Sequence, residues 1–244
     1  MRKIKLTIEY DGTNYHGWQI QPNAITIQAA IQDVLAKITK TQTQIIGAGR
    51  TDTGVHAAGQ VANLHTHSQM PPIAFQKALN ATLPRDIVIV DAEEVSLDFH
   101  ARFSAASRTY RYTILNRTYP SALLRNNAYF FPNEIDVQRA NAACQSLVGV
   151  QDFSSFQRSG SQRINSTCEI YECRCWREQD LIYFEIEADA FLRGMVRAIV
   201  GTALKLHDKE DGVNQLYRIL DARDRSAAGT SVPPHGLSLL RVKY

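Results

Sequence analysis

Asp52 stands in the run Gly49-Arg50-Thr51-Asp52-Thr53-Gly54-Val55-His56, with glycines on both sides and an arginine two residues before it. A carboxylate at a turn between extended segments can be presented into a cleft, where a nearby guanidinium keeps it ionised against desolvation. The run also has an ordinary reading, because aspartate beside glycine forms turns. Other chemistries find less support. Gly47-Ala48-Gly49 has no third glycine at dinucleotide spacing, and no Gly-Lys-Ser/Thr follows, so no nucleotide cofactor is expected. Cys173-x-Cys175 with Cys168, and His65-x-His67 with His56, lie in strand-like stretches without a second properly spaced pair, so no metal is expected either.

Charge distribution points to a polyanionic partner more clearly than the net charge of +3 does. No Asp or Glu occurs from His100 to Asn133, where Arg102, Arg108, Arg111, Arg117 and Arg125 alternate with Tyr110, Tyr112, Tyr119 and Tyr129. A second acid-free stretch, Phe153 to Cys168, carries Arg158 and Arg163. Arginines interleaved with aromatic rings suit a phosphate backbone with unstacked bases, although a solvated strand face gives the same pattern. Four cysteines without paired spacing, no secretory leader and no apolar run long enough for a bilayer lead to an expectation of a cytoplasmic, soluble protein with no membrane role.

The elements that must position these residues follow from periodicity. Ile4, Leu6, Ile8 and Tyr10 alternate in a strand that meets Asp11-Gly12, a turn dipeptide. Thr26 can cap a helix whose Ile27, Ile31, Val34, Leu35 and Ile38 form one stripe. Ile45-Ile46 leads into the glycine-rich turn, Val55 to His65 is extended, Pro71-Pro72 opens a helix through Leu79, and Ile87 to Val90 reads as a short buried strand. The second half is expected to hold a strand at Tyr110 to Leu115 and a helix at Val137 to Leu147. A hairpin of Ile170 to Trp176 with Leu181 to Ala188, a helix at Phe191 to Leu206 and a strand at Leu237 to Val242 complete it. That helix would put Arg193 and Arg197 on one face. The class is α+β, in two sheet-and-helix halves, 1–98 and 99–244, that form one unit.

The Asp52 run resembles the active-site motif of the tRNA pseudouridine synthase A family. Family-like blocks follow in order across nearly the whole chain: Tyr10-Asp11-Gly12-Thr13-Asn14-Tyr15-His16-Gly17-Trp18-Gln19, Phe99-His100-Ala101-Arg102-Phe103-Ser104-Ala105, Arg108-Thr109-Tyr110-Arg111-Tyr112, Phe191-Leu192-Arg193-Gly194-Met195-Val196-Arg197 and Pro233-Pro234-His235-Gly236-Leu237. Gln151 stands where many relatives carry histidine.

The resemblance implies two ferredoxin-like halves whose sheets join into one large, mostly antiparallel sheet with flanking helices and a basic cleft. It also implies a homodimer that clasps tRNA, a target at uridines 38, 39 and 40 of the anticodon arm, and no cofactor. Asp52 matches the essential aspartate, which attacks C1′, adds to the uracil ring or takes a sugar proton; all three routes need an ionised carboxylate, held so by Arg50 or Arg197. The resemblance favours Arg197 over Arg193 as the inward-facing arginine. Tyr110 matches the tyrosine that packs on the extruded base, with Arg108 and Arg111 near enough to tune its phenol. Arg102, Arg108, Arg111, Arg158 and Arg163 are then candidates for the RNA backbone. A non-catalytic RNA-binding module would not need Asp52, and a nucleoside hydrolase would release free uracil.

Overall fold

The alternation at the start of the chain becomes β1 (Arg2–Tyr10), in which Ile4, Leu6, Ile8 and Tyr10 are all buried. The computed structural model describes residues 1–158 and 165–244, so Arg163 lies outside the described residues. After β1 come α1 (Ile27–Thr39), β2 (Ile45–Gly47), β3 (His56–Thr66), α2 (Pro72–Thr82) and β4 (Ile87–Val95). They are followed by β5 (Ser107–Leu115), β6 (Tyr129–Phe130), α3 (Val137–Gln145), β7 (Gly149–Asp152), β8 (Thr167–Glu178), β9 (Leu181–Ala188), α4 (Met195–Leu206), α5 (Gly212–Ala222) and β10 (Leu237–Lys243).

The chain forms two compact units, Met1–Ala106 with Ser238–Tyr244, and Ser107–Leu237. The boundary expected at 98/99 therefore shifts, and the closing strand returns to the first unit. Hydrogen bonding explains the shift. Ala106 N–H donates to Lys243 O at 2.8 Å, Tyr244 Oη donates to Ala101 O at 2.8 Å, and Ala101 N–H donates to Asn63 Oδ1 at 2.8 Å.

In the first unit β1 lies between β3 and β4, antiparallel to both, and β2 extends β3 in the same sense. β10 runs parallel to β3, with Ser238 opposite His56 and Leu239 opposite Ala57. Thr26 caps α1 as expected, and Ile27, Ile31, Val34 and Leu35 form its buried stripe. β4 departs from the expected buried strand. It pairs through β1 at the sheet edge and hides only one side, so Ile87 and Ile89 are buried whereas Val88 and Val90 are exposed.

In the second unit β5, β9, β8 and β7 pair antiparallel in that order, with the short β6 parallel to β5. α3 starts at Asp136, whose side chain accepts from Arg139 N, and lies on β8, where Asn141 Oδ1 accepts from Cys175 N and Gln145 Nε2 donates to Cys173 O. The four cysteines are buried free thiols. α4 begins at Met195 rather than Phe191, because Gly194, at φ +73°, breaks the backbone ahead of it. Arg193 is thus outside the helix and exposed, and it does not share a helical face with Arg197. α5 was not expected from sequence, although Leu216, Ile219 and Leu220 form its buried face. The chain is α+β with mostly antiparallel strands. Among the described residues no helix is long and apolar enough to cross a membrane.

Candidate active site

Asp52 sits half-buried in the loop between β2 and β3, and the backbone around it is fixed on every side. Thr51, one residue earlier, is buried with its Oγ1 2.8 Å from Tyr10 Oη, and its carbonyl accepts from Trp18 N–H at 3.1 Å. Asp52 O accepts from Val55 N–H at 3.1 Å, which closes the turn through Gly54 at φ +75°. Gln60, wholly buried on β3, donates Nε2 to Gly49 O at 2.8 Å. The carboxylate is therefore displayed from a rigid turn, and rigid placement is what a reacting group needs.

The segment from Asp11 to Trp18 presses against this turn without side chains in the way. A Cβ on Gly17, at φ +87°, would lie 2.4 Å from Thr51 O, and one on Gly12 would lie 2.0 Å from Val55 O. Both approaches are closed to any larger residue. Gly12 N–H also donates to Nδ1 of the buried His56 at 3.0 Å. Arg50 is exposed on the same loop.

The second unit places Tyr110 in β5 opposite Ile186, 8% exposed, with Phe191 edge-on at 4.9 Å between ring centres. Alternation gives Tyr110 and Tyr112 the same face, but their surroundings differ. Tyr112 is completely buried and donates its hydroxyl to Pro233 O at 2.8 Å, and a Cβ on Gly236 would strike its ring at 2.7 Å. Burial pushes the Tyr112 phenol far above its ordinary range, with the charge of Arg197 acting in the opposite direction. Arg197 is half-buried in the first turn of α4, its Nε donating to Val232 O at 2.7 Å. α4 approaches the 229–232 segment closely because Gly201 and Gly229 lack side chains; a Cβ on Gly201 would lie 1.9 Å from Thr230 O.

Arg111 departs from the expected tuning of Tyr110. It projects from the other face of β5 and is committed to Glu185, with Nη2 to Oε2 at 2.6 Å and Nε to Oε2 at 3.0 Å. Burial works to raise the Glu185 carboxyl, but hydrogen bonds and charge from Arg111 and Arg174 more than offset it and hold it below the ordinary range. Arg108 is half-buried, with Nη1 on Asp189 O at 2.8 Å, while Arg102 and Arg158 are exposed. Gln151, on β7, donates to Ser146 O at 3.2 Å. Among the described residues no group of three His, Cys, Asp or Glu side chains is arranged to hold a metal.

The family described as tRNA pseudouridine synthase matches residues 6–104 and 143–244, segments that take in both Asp52 and Arg197. The chain belongs to this family. It is 46% identical over 244 residues, covering all of both chains, to tRNA pseudouridine synthase A 2 of Clostridium perfringens. It matches tRNA pseudouridine synthase A of Caldicellulosiruptor saccharolyticus at 46% and that of Acetivibrio thermocellus at 45%, again over the full length of each. As a member of the family it is an isomerase that converts uridine in tRNA to pseudouridine. The supports of the synthase's loop that sequence reasoning missed are Gly12, Gly17, Tyr10 and Gln60. Tyr10, Gly12 and Gly17 all lie in one family-like block, whereas Gln60 carried no signal.

Proposed function

We propose that this chain isomerises uridines 38, 39 and 40 in the anticodon arm of tRNA, acting as a cytoplasmic homodimer, with Asp52 as the catalytic carboxylate. The observation that carries the reading is the Asp52 loop, a half-exposed carboxylate on a turn whose backbone is held by Tyr10, Trp18, Gly17 and Gln60.

Isomerisation breaks the bond from C1′ to N1, turns the uracil and joins C5 to C1′, so the base must stay trapped between steps. Asp52 acts ionised, as nucleophile or as base, with Arg50 or Arg197 supplying the positive charge that keeps it so. A stem uridine must leave its stack, at a cost of a few kcal/mol. Tyr110 packs on the extruded base and takes the C5 proton after rotation. The hydroxyl of Tyr112, on the same face of β5, donates to Pro233 O and holds that strand instead. Arg102, Arg108 and Arg158 meet the RNA backbone. Arg163 is assigned with them on sequence alone, and Arg111 shares its charge with Glu185 and contributes less.

Tritium release from tRNA labelled at uracil C5 tests this reading, followed by mapping of the modified positions. Release of free uracil would replace the isomerase by a hydrolase, and modification outside the anticodon arm would overturn the assigned target.

A further inference from the structure

The segment 96–106 of the first unit holds Arg102, assigned above to the RNA backbone, and it is tightly built. Lys3 Nζ donates to the carbonyls of Leu97 and Phe99, at 2.6 Å to the latter. Asn63 and Tyr244 hold Ala101 from either side of its peptide. Above this base a turn closes, with Ser104 N–H donating to His100 O at 2.9 Å and His100 N–H donating to Ser104 Oγ at 3.0 Å. His100 Nδ1 accepts from the backbone N–H groups of Arg102 and Phe103 at 3.1 and 3.2 Å. At the tip Phe103 is 76% exposed, its ring 4.4 Å from the His100 ring and 5.5 Å from the Arg102 guanidinium.

Holding a phenyl ring in water forgoes the free energy of burying it, and here the turn fixes the ring in place instead of hiding it. The surroundings indicate what covers it. Arg102 and Ser104 on either side of it in the chain are exposed and polar, so the tip itself is not a run of apolar side chains. A single ring with a guanidinium and an imidazole beside it fits an unstacked nucleobase and its phosphate. Because Nδ1 of His100 accepts from the backbone, the ring proton sits on Nε2 and is available to donate.

We propose that Phe103, flanked by Arg102 and His100, is a stacking platform for an unpaired nucleotide of the RNA substrate other than the target uridine. A loop tip this exposed cannot enclose a base and exclude water, as the isomerisation requires. The proposal rests on the reading that the substrate is tRNA.

Equilibrium binding of tRNA to Phe103→Ala, Phe103→Leu and Phe103→Trp tests it, with tritium release measured on the same proteins. Loss of one base stack should weaken affinity about 5- to 150-fold in the Ala and Leu variants, and Trp should keep it within a few-fold. The single-turnover rate at saturating tRNA should be unchanged. Normal affinity in Phe103→Ala would overturn the proposal. So would rescue by Leu equal to that by Trp, which would indicate apolar docking, or a change of oligomeric state in sedimentation that accounts for the whole loss. If the unaltered chain binds tRNA but releases no tritium, the functional reading fails while the affinity comparison still decides the platform.

Discussion

Tyr10 Oη and Thr51 Oγ1 lie 2.8 Å apart, both side chains buried, so the residue preceding Asp52 is bonded directly to the central strand β1. Tyr10→Phe keeps the ring and removes this partner. Leaving a buried hydroxyl without it should cost about 1–3 kcal/mol in urea unfolding. The single-turnover rate should fall while tRNA affinity holds. An unchanged rate would show that Thr51 is positioned by other means.

Asp52→Asn preserves shape and removes one negative charge facing a polyanion. Pseudouridine formation should be abolished and tRNA affinity should stay within a few-fold. Substantial residual turnover would move the catalytic role to another residue.

The paired tyrosines of β5 separate stacking from proton transfer. If the Tyr110 hydroxyl takes the C5 proton, Tyr110→Phe should lose about 10²- to 10⁴-fold in rate with C5-deuterated substrate as the probe. A full-rate enzyme would leave Tyr110 as a packing residue. Tyr112→Phe should instead lower stability by about 1 kcal/mol through the bond to Pro233 O and leave the isotope effect as it was.

Gly17 combines φ +87° with a Cβ position 2.4 Å from Thr51 O. Gly17→Ala should therefore destabilise by more than the roughly 1 kcal/mol of an ordinary glycine-to-alanine conflict, since the backbone of the loop must also shift. Turnover should fall more than affinity. Equal losses in both would mean that the substitution unfolds the unit without acting on the loop.

Glu185 links stability to pH. Its carboxyl is held low in the folded chain, so its contribution is present above the ordinary glutamate pKa and is lost as pH falls through the lowered folded value. Thermal unfolding measured downward from pH 6 should show this acid limb, and Glu185→Gln should flatten it. An identical limb in the variant would assign the acid sensitivity to other carboxylates.

Regular elements were legible because periodicity records which side of a strand or helix is buried: β1, α1 and the β8–β9 hairpin follow directly from it. The start of α4 was misplaced because its hydrophobic run continues past Gly194, and only the backbone shows the left-handed break there. α5 carries the same helical spacing, with Leu216, Ile219 and Leu220 on one face, so its pattern was legible although the helix was not expected. The turn that holds Asp52 was legible in its flanking glycines, whereas the bond from Tyr10 to Thr51 spans 41 residues and leaves no local pattern. The pairing of Arg111 with Glu185 was hidden for the same reason. A run without acids in sequence is not a surface without acids, since an antiparallel neighbour can supply one from far along the chain.

The first unit is interrupted by the whole of the second: β10, beside the end of β3 that follows the Asp52 loop, is made only after residues 107–237. During synthesis, that end of β3 waits with an open edge while residues 107–237 emerge from the ribosome. Open edges recruit other strands, and long-range pairing is slow to form. A chain that stops within the second unit therefore carries the Asp52 loop with an unfinished sheet beside it. The sheet beside the Asp52 loop is thus completed only by residues that follow the whole of the second unit.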